Sequence, residues 1–185
     1  MDWQLLYAIA YKDQLPNNPM PIVTDRLILT PLQLSDAEEM HLVLDHINLH
    51  TFTGGEPLSL EELQKRFAKL ESGSGRDTET WVNLIVRLQP GEIAIGYVQA
   101  TIYNEDLPCA DIAWVIGISW QGKGCATEAA TALVTWLKNQ GIDEIRANIN
   151  PSHDASKAIA RRLGMHPTDV QVDEETQWKL SPDHQ

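Results

Sequence analysis

Apolar residues recur along the chain at two spacings, two and three-to-four, and the switches between them lay out a sequence of elements. Residues 26–30 read as a strand. Ser35-Asp-Ala-Glu38 has the form of a capping box and predicts a helix to about Asp45. Ser59 and Glu62 repeat the box, opening a helix with Leu60, Leu63, Phe67 and Leu70 on one face, and Ser72-Gly-Ser-Gly75 ends it. Residues 80–88 and 93–103 are β-rich runs joined by Gln-Pro-Gly-Glu, which predicts a hairpin, and a turn over 104–108 leads into a third strand, 111–116.

A glycine-rich turn then passes into a helix with Ala126, Ala129, Ala130, Leu133, Val134 and Leu137 on one apolar face. Gly141 stops it, residues 144–149 form a strand, and Ser152 is expected to cap a helix whose Ala155, Ala158, Ile159 and Leu163 face inward. Strands near 168–172 and 177–180 complete the order. Antiparallel strands first and a strand-helix-strand unit later describe an α+β chain with a mixed sheet flanked by helices.

The turn between strand and helix is the form of an anion site. Gly122 and Gly124 let backbone approach a ligand, and the helix behind them aims unpaired N–H groups and the positive end of its dipole at one point. Gly117 to Lys123 satisfies G-x-x-x-x-G-K, but a nucleotide-hydrolysing loop needs Ser or Thr next, where Gly124 stands. A dinucleotide fingerprint needs glycine at position 127, which is Thr127. The pattern Q/R-x-x-G-x-G/A is met by Gln121, Gly124 and Ala126.

On these residues the chain resembles the GNAT superfamily of N-acetyltransferases, in which this loop cradles the pyrophosphate of acetyl-CoA. The segment from Asn150 to Met165 is similar to that superfamily's second cofactor motif, N-x-x-S followed by a helix ending in L-G-F. His153 takes the place of the Asn, while Ser156, Leu163 and Gly164 match. Thr24-Asp-Arg-Leu-Ile-Leu-Thr-Pro31 resembles the opening strand of the branch that includes ribosomal-protein N-terminal acetyltransferases. The resemblance spans roughly residues 22–180. It implies a GNAT-like, mostly antiparallel sheet with a strand-loop-helix acetyl-CoA site.

The same resemblance assigns site residues. Trp114, Val115 and Ile116 would pair with the pantetheine arm through their backbone, and one of their amides would donate to the developing oxyanion, a contribution of about 3 kcal/mol. Gln121, Gly122, Lys123, Gly124, Cys125, Ala126 and Thr127 would hold the pyrophosphate, and His153 and Ser156 would contact the cofactor. Asp111, in an Ala-Asp-Ile context where some relatives carry Glu, is the expected base for the attacking amine, through a bridging water; the alternative is an ordinary strand-end aspartate. The tyrosine that some relatives use to protonate the leaving thiolate is absent, Ala160 standing there, which leaves water or a group such as Tyr103. Lys123 and Lys157 are candidates for the phosphates. Trp81, Trp114 and Trp178 are either acceptor-pocket or core residues.

Composition narrows the rest. At 185 residues the chain accommodates a short extension over 1–20, closed by a proline-rich linker, and one domain over 21–185. Trp3, Leu5, Leu6 and Tyr7 suggest that the extension packs on something. With 14 basic and 26 acidic side chains the net charge is −12, which disfavours nucleic acid and anionic membrane and mildly favours cationic acceptors. The two cysteines, Cys109 and Cys125, make neither a metal spacing nor a disulfide framework, no metal is implied, and Cys125 has no base beside it in sequence to make it a nucleophile. Nothing in residues 1–21 has the form of a signal peptide, so the expected location is the cytoplasm. The sequence thus predicts acetyl transfer from acetyl-CoA to a primary amine, a protein N-terminus or a small amine, by direct attack in a ternary complex. The competing reading is a catalytically weak or inactive CoA-binding sensor or interaction module.

Overall fold

Adjacent residues of one strand enter different cores, and that alternation organises the molecule. In a computed structural model, which describes residues 21–52, 55–104 and 107–180, Leu84 and Val86 join one buried cluster while Ile85 between them joins another. The expected extension at 1–20 and part of the turn at 104–108 lie outside the described residues. The elements in chain order are β1 (Ile22–Val23), β2 (Leu27–Pro31), α1 (Ala37–Leu44), α2 (Leu60–Glu71), β3 (Glu79–Leu88), β4 (Ile93–Tyr103), β5 (Cys109–Ile116), α3 (Cys125–Asn139), β6 (Glu144–Ile149), α4 (Asp154–Arg162), β7 (Met165–Val172) and β8 (Glu175–Leu180). The strands form one eight-stranded sheet in the order β1-β2-β3-β4-β5-β6-β8-β7, antiparallel everywhere except between β5 and β6. This is the mixed, mostly antiparallel α+β architecture that the element order predicts. None of the described helices is long and apolar enough to cross a membrane.

The larger core joins one sheet face to α3 and α4 through Leu29, Val98, Leu133, Leu137, Ala160 and Trp178. The smaller one, Leu32, Met40, Leu63, Phe67 and Ile85, lies under α1 and α2. Each fully buried Leu or Phe contributes roughly 1.5–3 kcal/mol, so both faces are committed to their helices. Trp178 is 3% exposed and belongs to the core, and Trp81 carries Lys69 over its ring at 5.4 Å.

Ser59 and Glu62 cap α2 reciprocally, Glu62 N–H donating to Ser59 Oγ at 3.3 Å and Ser59 N–H to Glu62 Oε2 at 2.9 Å. The box expected at Ser35 and Glu38 does not form. A 3₁₀ turn over Leu34–Asp36 comes first, with Gln33 N–H donating to Asp36 Oδ2 at 2.8 Å, and α1 starts at Ala37. The displacement has a long-range cause: the mostly buried Arg87 guanidinium on β3 binds Asp36 at 2.6 Å and Glu39 at 2.8 Å, and only this helix start aims both carboxylates at it. The cap expected at Ser152 likewise moves to His153. The first of the two closing strands begins at Met165, three residues before the expected 168.

β4 carries a bulge. Val86 pairs with Gly96 and Arg87 with Ala94, which leaves Ile95 as the extra residue, and its carbonyl accepts the Gly117 N–H at 2.8 Å. Gly96 stands opposite Ile116, where a Cβ would overlap the Val115 carbonyl oxygen and come 2.9 Å from Ile116 Cα. Because the neighbour is backbone, it cannot swing aside. Gly96→Ala is expected to lower unfolding free energy by about 2 kcal/mol or more, measurable by urea denaturation with unchanged m-value. Stability equal to the parent protein would show that β5 has room to shift.

Candidate active site

Between the two halves of the sheet the chain leaves an opening. β5 and β6 pair only where Cys109, Ala110 and Asp111 face Glu144, Ile145 and Arg146. Beyond these pairs β5 stays with β4 out to Ile116, and β6 stays with β8 out to Ile149. A cleft of about 1230 Å³ follows, with Ile112 to Ile116 along one wall and Ala147 to Asn150 along the other. Among the described residues the facing backbone edges have no ladder partner, so their N–H and C=O groups are open to a molecule bound in the cleft.

The cleft runs onto the glycine loop. Gln121 Nε2 donates to the Ile116 carbonyl at 2.9 Å and so ties the loop to the end of β5. Gly122 and Gly124 have φ of 72° and 80°, a conformation costly for side-chain-bearing residues. Gly124 is the N-cap of α3 and offers no side-chain acceptor, and the first intrahelical bond is Glu128 N–H to Gly124 C=O at 3.1 Å. The amides of Cys125, Ala126 and Thr127 thus remain open at the positive end of a fifteen-residue helix. All three residues line the cleft.

Arg26 of the opening segment braces this loop. Its Nη1 donates to the Lys123 carbonyl at 3.0 Å, its Nε to Glu128 Oε2 at 2.7 Å, and its backbone N–H to Glu128 Oε1 at 3.1 Å. Thr24 Oγ1 donates to the same Glu128 Oε1 at 2.7 Å. Although burial pushes the Glu128 carboxyl upward, the bonds from Thr24 and Arg26 outweigh it and hold its pKa below the usual value. A carboxylate in the first turn would oppose a bound anion; Arg26 neutralises it and pulls the Lys123 carbonyl out of the site.

Of the residues expected at the cofactor, Trp114, Val115, Ile116, Gln121, Gly122, Gly124, Cys125, Ala126, Thr127, His153 and Ser156 all line the cleft. Lys123 does not. Its Nζ bends back to the Ser119 carbonyl at 2.9 Å, and Lys157, the other phosphate candidate, bonds the Pro151 carbonyl and Asp154. Arg162, on α4, is a cation that does line the cleft. His153 stacks on Phe52 with ring centroids 4.1 Å apart, and burial lowers its pKa, so the ring is kept neutral. Ala155, Ala158 and Ile159, expected to face the core, line the cleft, while Ser156 and Ala160 are the buried residues of α4.

Asp111 also stands apart from the cleft lining. Its Oδ1 accepts Arg146 Nε at 2.8 Å and its Oδ2 accepts the Tyr103 hydroxyl at 3.0 Å. Both oxygens are occupied because Asp111 belongs to the last paired position of β5 and β6, where Arg146 is its direct neighbour. The Tyr103 hydroxyl is committed to the same pair.

Sequence reasoning missed the far side of the cleft. Tyr97 and Gln99 line it from β4, His41 and His50 from α1 and the following 3₁₀ turn, and Arg66 from α2. Two cleft-lining residues carry conspicuous atoms: His50 Nε2 on this side and Asn148 Oδ1 on the β6 wall are buried with no hydrogen-bond partner among the described residues. Buried polar atoms without partners cost about 1–3 kcal/mol each, so their placement in a cleft wall fits partners supplied by bound molecules. Alternation along β4 could have found Tyr97 and Gln99, since period two puts both on one face.

The brace makes a prediction about the anion site. Arg26→Gln leaves Glu128 uncompensated beside the open amides, and acetyl-CoA affinity measured by calorimetry is expected to fall about tenfold. Adding Glu128→Gln is expected to recover most of the loss. Unchanged affinity in the single variant would show that the loop holds its shape and charge without the brace.

Comparison with known proteins agrees with this geometry. The model of the acetyltransferase (GNAT) domain matches residues 26–166. The uncharacterized N-acetyltransferase YnaD of Bacillus subtilis (strain 168) is 24% identical over 147 residues, 79% of this chain and 82% of that protein. The solved structure of a GNAT-family acetyltransferase from Bacillus anthracis superposes with a TM-score of 0.73 at 19% identity, covering 87% of this chain and 98% of that one. RimL, a ribosomal L7/L12 alpha-N-protein acetyltransferase solved in complex with coenzyme A, superposes with a TM-score of 0.75 at 20% identity over 89% of this chain and 99% of its own. With its family model spanning most of the sequence and the loop, the open amides and the split strands in place, the chain belongs to the GNAT acetyltransferase family and is an acetyl-CoA-dependent N-acetyltransferase.

Proposed function

We propose that the enzyme acetylates a primary amine by direct attack on acetyl-CoA, both substrates lying together in the cleft between β5 and β6. The observation that carries this reading is the continuity of one cleft from the open amides of α3, past the unpaired edges of β5 and β6, to the polar pocket under α1 and α2. The donor supplies an activated acyl carbon and a good leaving group. The chain must then hold the donor, take a proton from the amine and return one to the thiolate.

Holding falls to the amides of Cys125, Ala126 and Thr127 at the phosphate end and to the backbone of Trp114, Val115 and Ile116 along the arm, with His153 and Ser156 on the opposite wall. The amine proton needs a base other than Asp111, whose oxygens are taken by Arg146 and Tyr103. We assign it to His50, which lines the acceptor end and has a buried, unpartnered Nε2. For the thiolate the candidate shifts from Tyr103 to Tyr97, which lines the cleft and pairs across the sheet with Val115. Burial raises the Tyr97 pKa, so the hydroxyl keeps its proton at neutral pH and is available as an acid.

The acceptor is a protein N-terminus or a small amine. Release of free thiol from acetyl-CoA, measured across a panel of both kinds, is expected to depend on the acceptor and to give intersecting initial-velocity plots. Tight acetyl-CoA binding without acceptor-dependent release would support the sensor instead. His50→Gln is expected to lower turnover about 100-fold while leaving acetyl-CoA affinity intact, whereas Asp111→Asn keeps turnover on the parental scale. The reverse pattern would return the base to Asp111.

A further inference from the structure

Arg66 brings a positive charge to the cleft of a strongly acidic chain. Arg26, Arg76, Arg87 and Arg146 each hold a carboxylate within 4 Å, as expected where acidic side chains outnumber basic ones 26 to 14. Arg66, like Arg161 and Arg162, holds none among the described residues, and of these three it is the one that lines the cleft from α2 and lies beside the Tyr97 hydroxyl, on whose pKa it acts. Tyr97 is the cross-strand partner of Val115, so this guanidinium sits at the end of the cleft where the acyl group would be handed over. The lining at this end mixes apolar residues, Leu63 and Leu70 from the same helix and Leu44 from α1, with polar ones, among them His41, Glu56 and Gln99.

We infer that Arg66 recognises a carboxylate on the acceptor, making the substrate class amines that carry an anionic group a short distance from the nucleophilic nitrogen. A guanidinium with no carboxylate partner among the described residues presents a planar fork of donors to the cleft, which matches a carboxylate in a bidentate pair. One fixed cation suits a monoanion; a phosphate dianion would ask for more. The amine then points toward β5 and His50, and the carboxylate toward α2. The net charge of −12 argues for cationic acceptors over the surface as a whole, but specificity is decided where the acceptor touches the protein, and Arg66 lines the cleft there, with Glu56 also in the lining. This inference rests on the acetyl-transfer reading of the cleft.

Two sources of the carboxylate are separable: the α-carboxylate of a free amino acid, and an acidic side chain following a peptide N-terminus. Thiol release would be measured with alanine against alaninamide, and with alanyl-aspartic acid α-amide, whose side-chain carboxyl is free, against alanyl-asparagine amide, in which it is amidated. At least one carboxylate acceptor is expected to exceed its amide by about tenfold or more in kcat/KM, and Arg66→Gln to erase that ratio with acetyl-CoA affinity unchanged. Recognition is also read without turnover by titrating the CoA-loaded protein with the N-acetylated forms of the same compounds. There the carboxylate form should bind about tenfold more tightly than the amide, and Arg66→Gln should make the two equal. Binding of carboxylate forms without any thiol release would sustain the recognition site and overturn the acetyl-transfer reading. Equal behaviour of carboxylate and amide in both assays, or a preference that survives Arg66→Gln, would overturn the assignment of Arg66.

Discussion

Three parallel residue pairs decide what this molecule can hold. If β5 and β6 stayed paired beyond Asp111 and Arg146, their backbone groups would satisfy one another and the sheet would be closed. Instead each strand is claimed by its antiparallel neighbour on the other side: β5 by β4 through Ile116, β6 by β8 through Ile149. The Asp111–Arg146 bridge, at 2.8 Å, with Tyr103 bound to the same carboxylate, locks the last common position. The residues that look most like catalytic machinery in the sequence thus serve as the rivet from which the strands diverge. Both Asp111 oxygens are engaged in that geometry, which is why we assign the proton chemistry elsewhere.

The divergence would be useless without a fixed end. Gly96 lets the backbone of β5 press against β4 at Val115 and Ile116, the bulge at Ile95 catches Gly117, and Gln121 returns to Ile116. Strand end, loop and helix start are therefore tied to one another before any ligand arrives, and the amides of α3 are preorganised. Arg26 adds the electrostatic half of the same arrangement from a segment about a hundred residues away in sequence, cancelling the charge of Glu128 where an anion must approach.

What could be read from the sequence was what local physics controls. Glycines with positive φ, the Ser59 and Glu62 box and the apolar stripe of α3 act within a few residues of themselves, and they appear where the pattern puts them. The departures from what local pattern leads one to expect share one cause. Asp36 serves Arg87 instead of letting Ser35 cap a helix, and Lys123 finds the Ser119 carbonyl. Asp111 is claimed by Arg146, 35 positions away, and Ala155, Ala158 and Ile159 face a cleft because the sheet beneath them is split. In each case a partner distant in sequence, or a backbone turn, overrode the residue's default. Periodicity carries no information about such partners.

The same reasoning explains why the acceptor end was invisible. Its walls come from the packing of α1 and α2 on the smaller core, two helices whose polar faces look like ordinary solvated surface in a one-dimensional pattern. Arg66 stands between Leu63 and Leu70 in sequence and reads as one more charged residue on an amphipathic helix. Only the placement of that helix over β4 turns it toward Tyr97 and away from the carboxylates that neutralise other arginines of the chain. The loop proposed to hold the donor was legible as a loop because its open amides depend on backbone geometry, and backbone geometry leaves glycines in the sequence. The end of the cleft proposed for the acceptor is built from side chains of several elements, and such a site leaves no local mark.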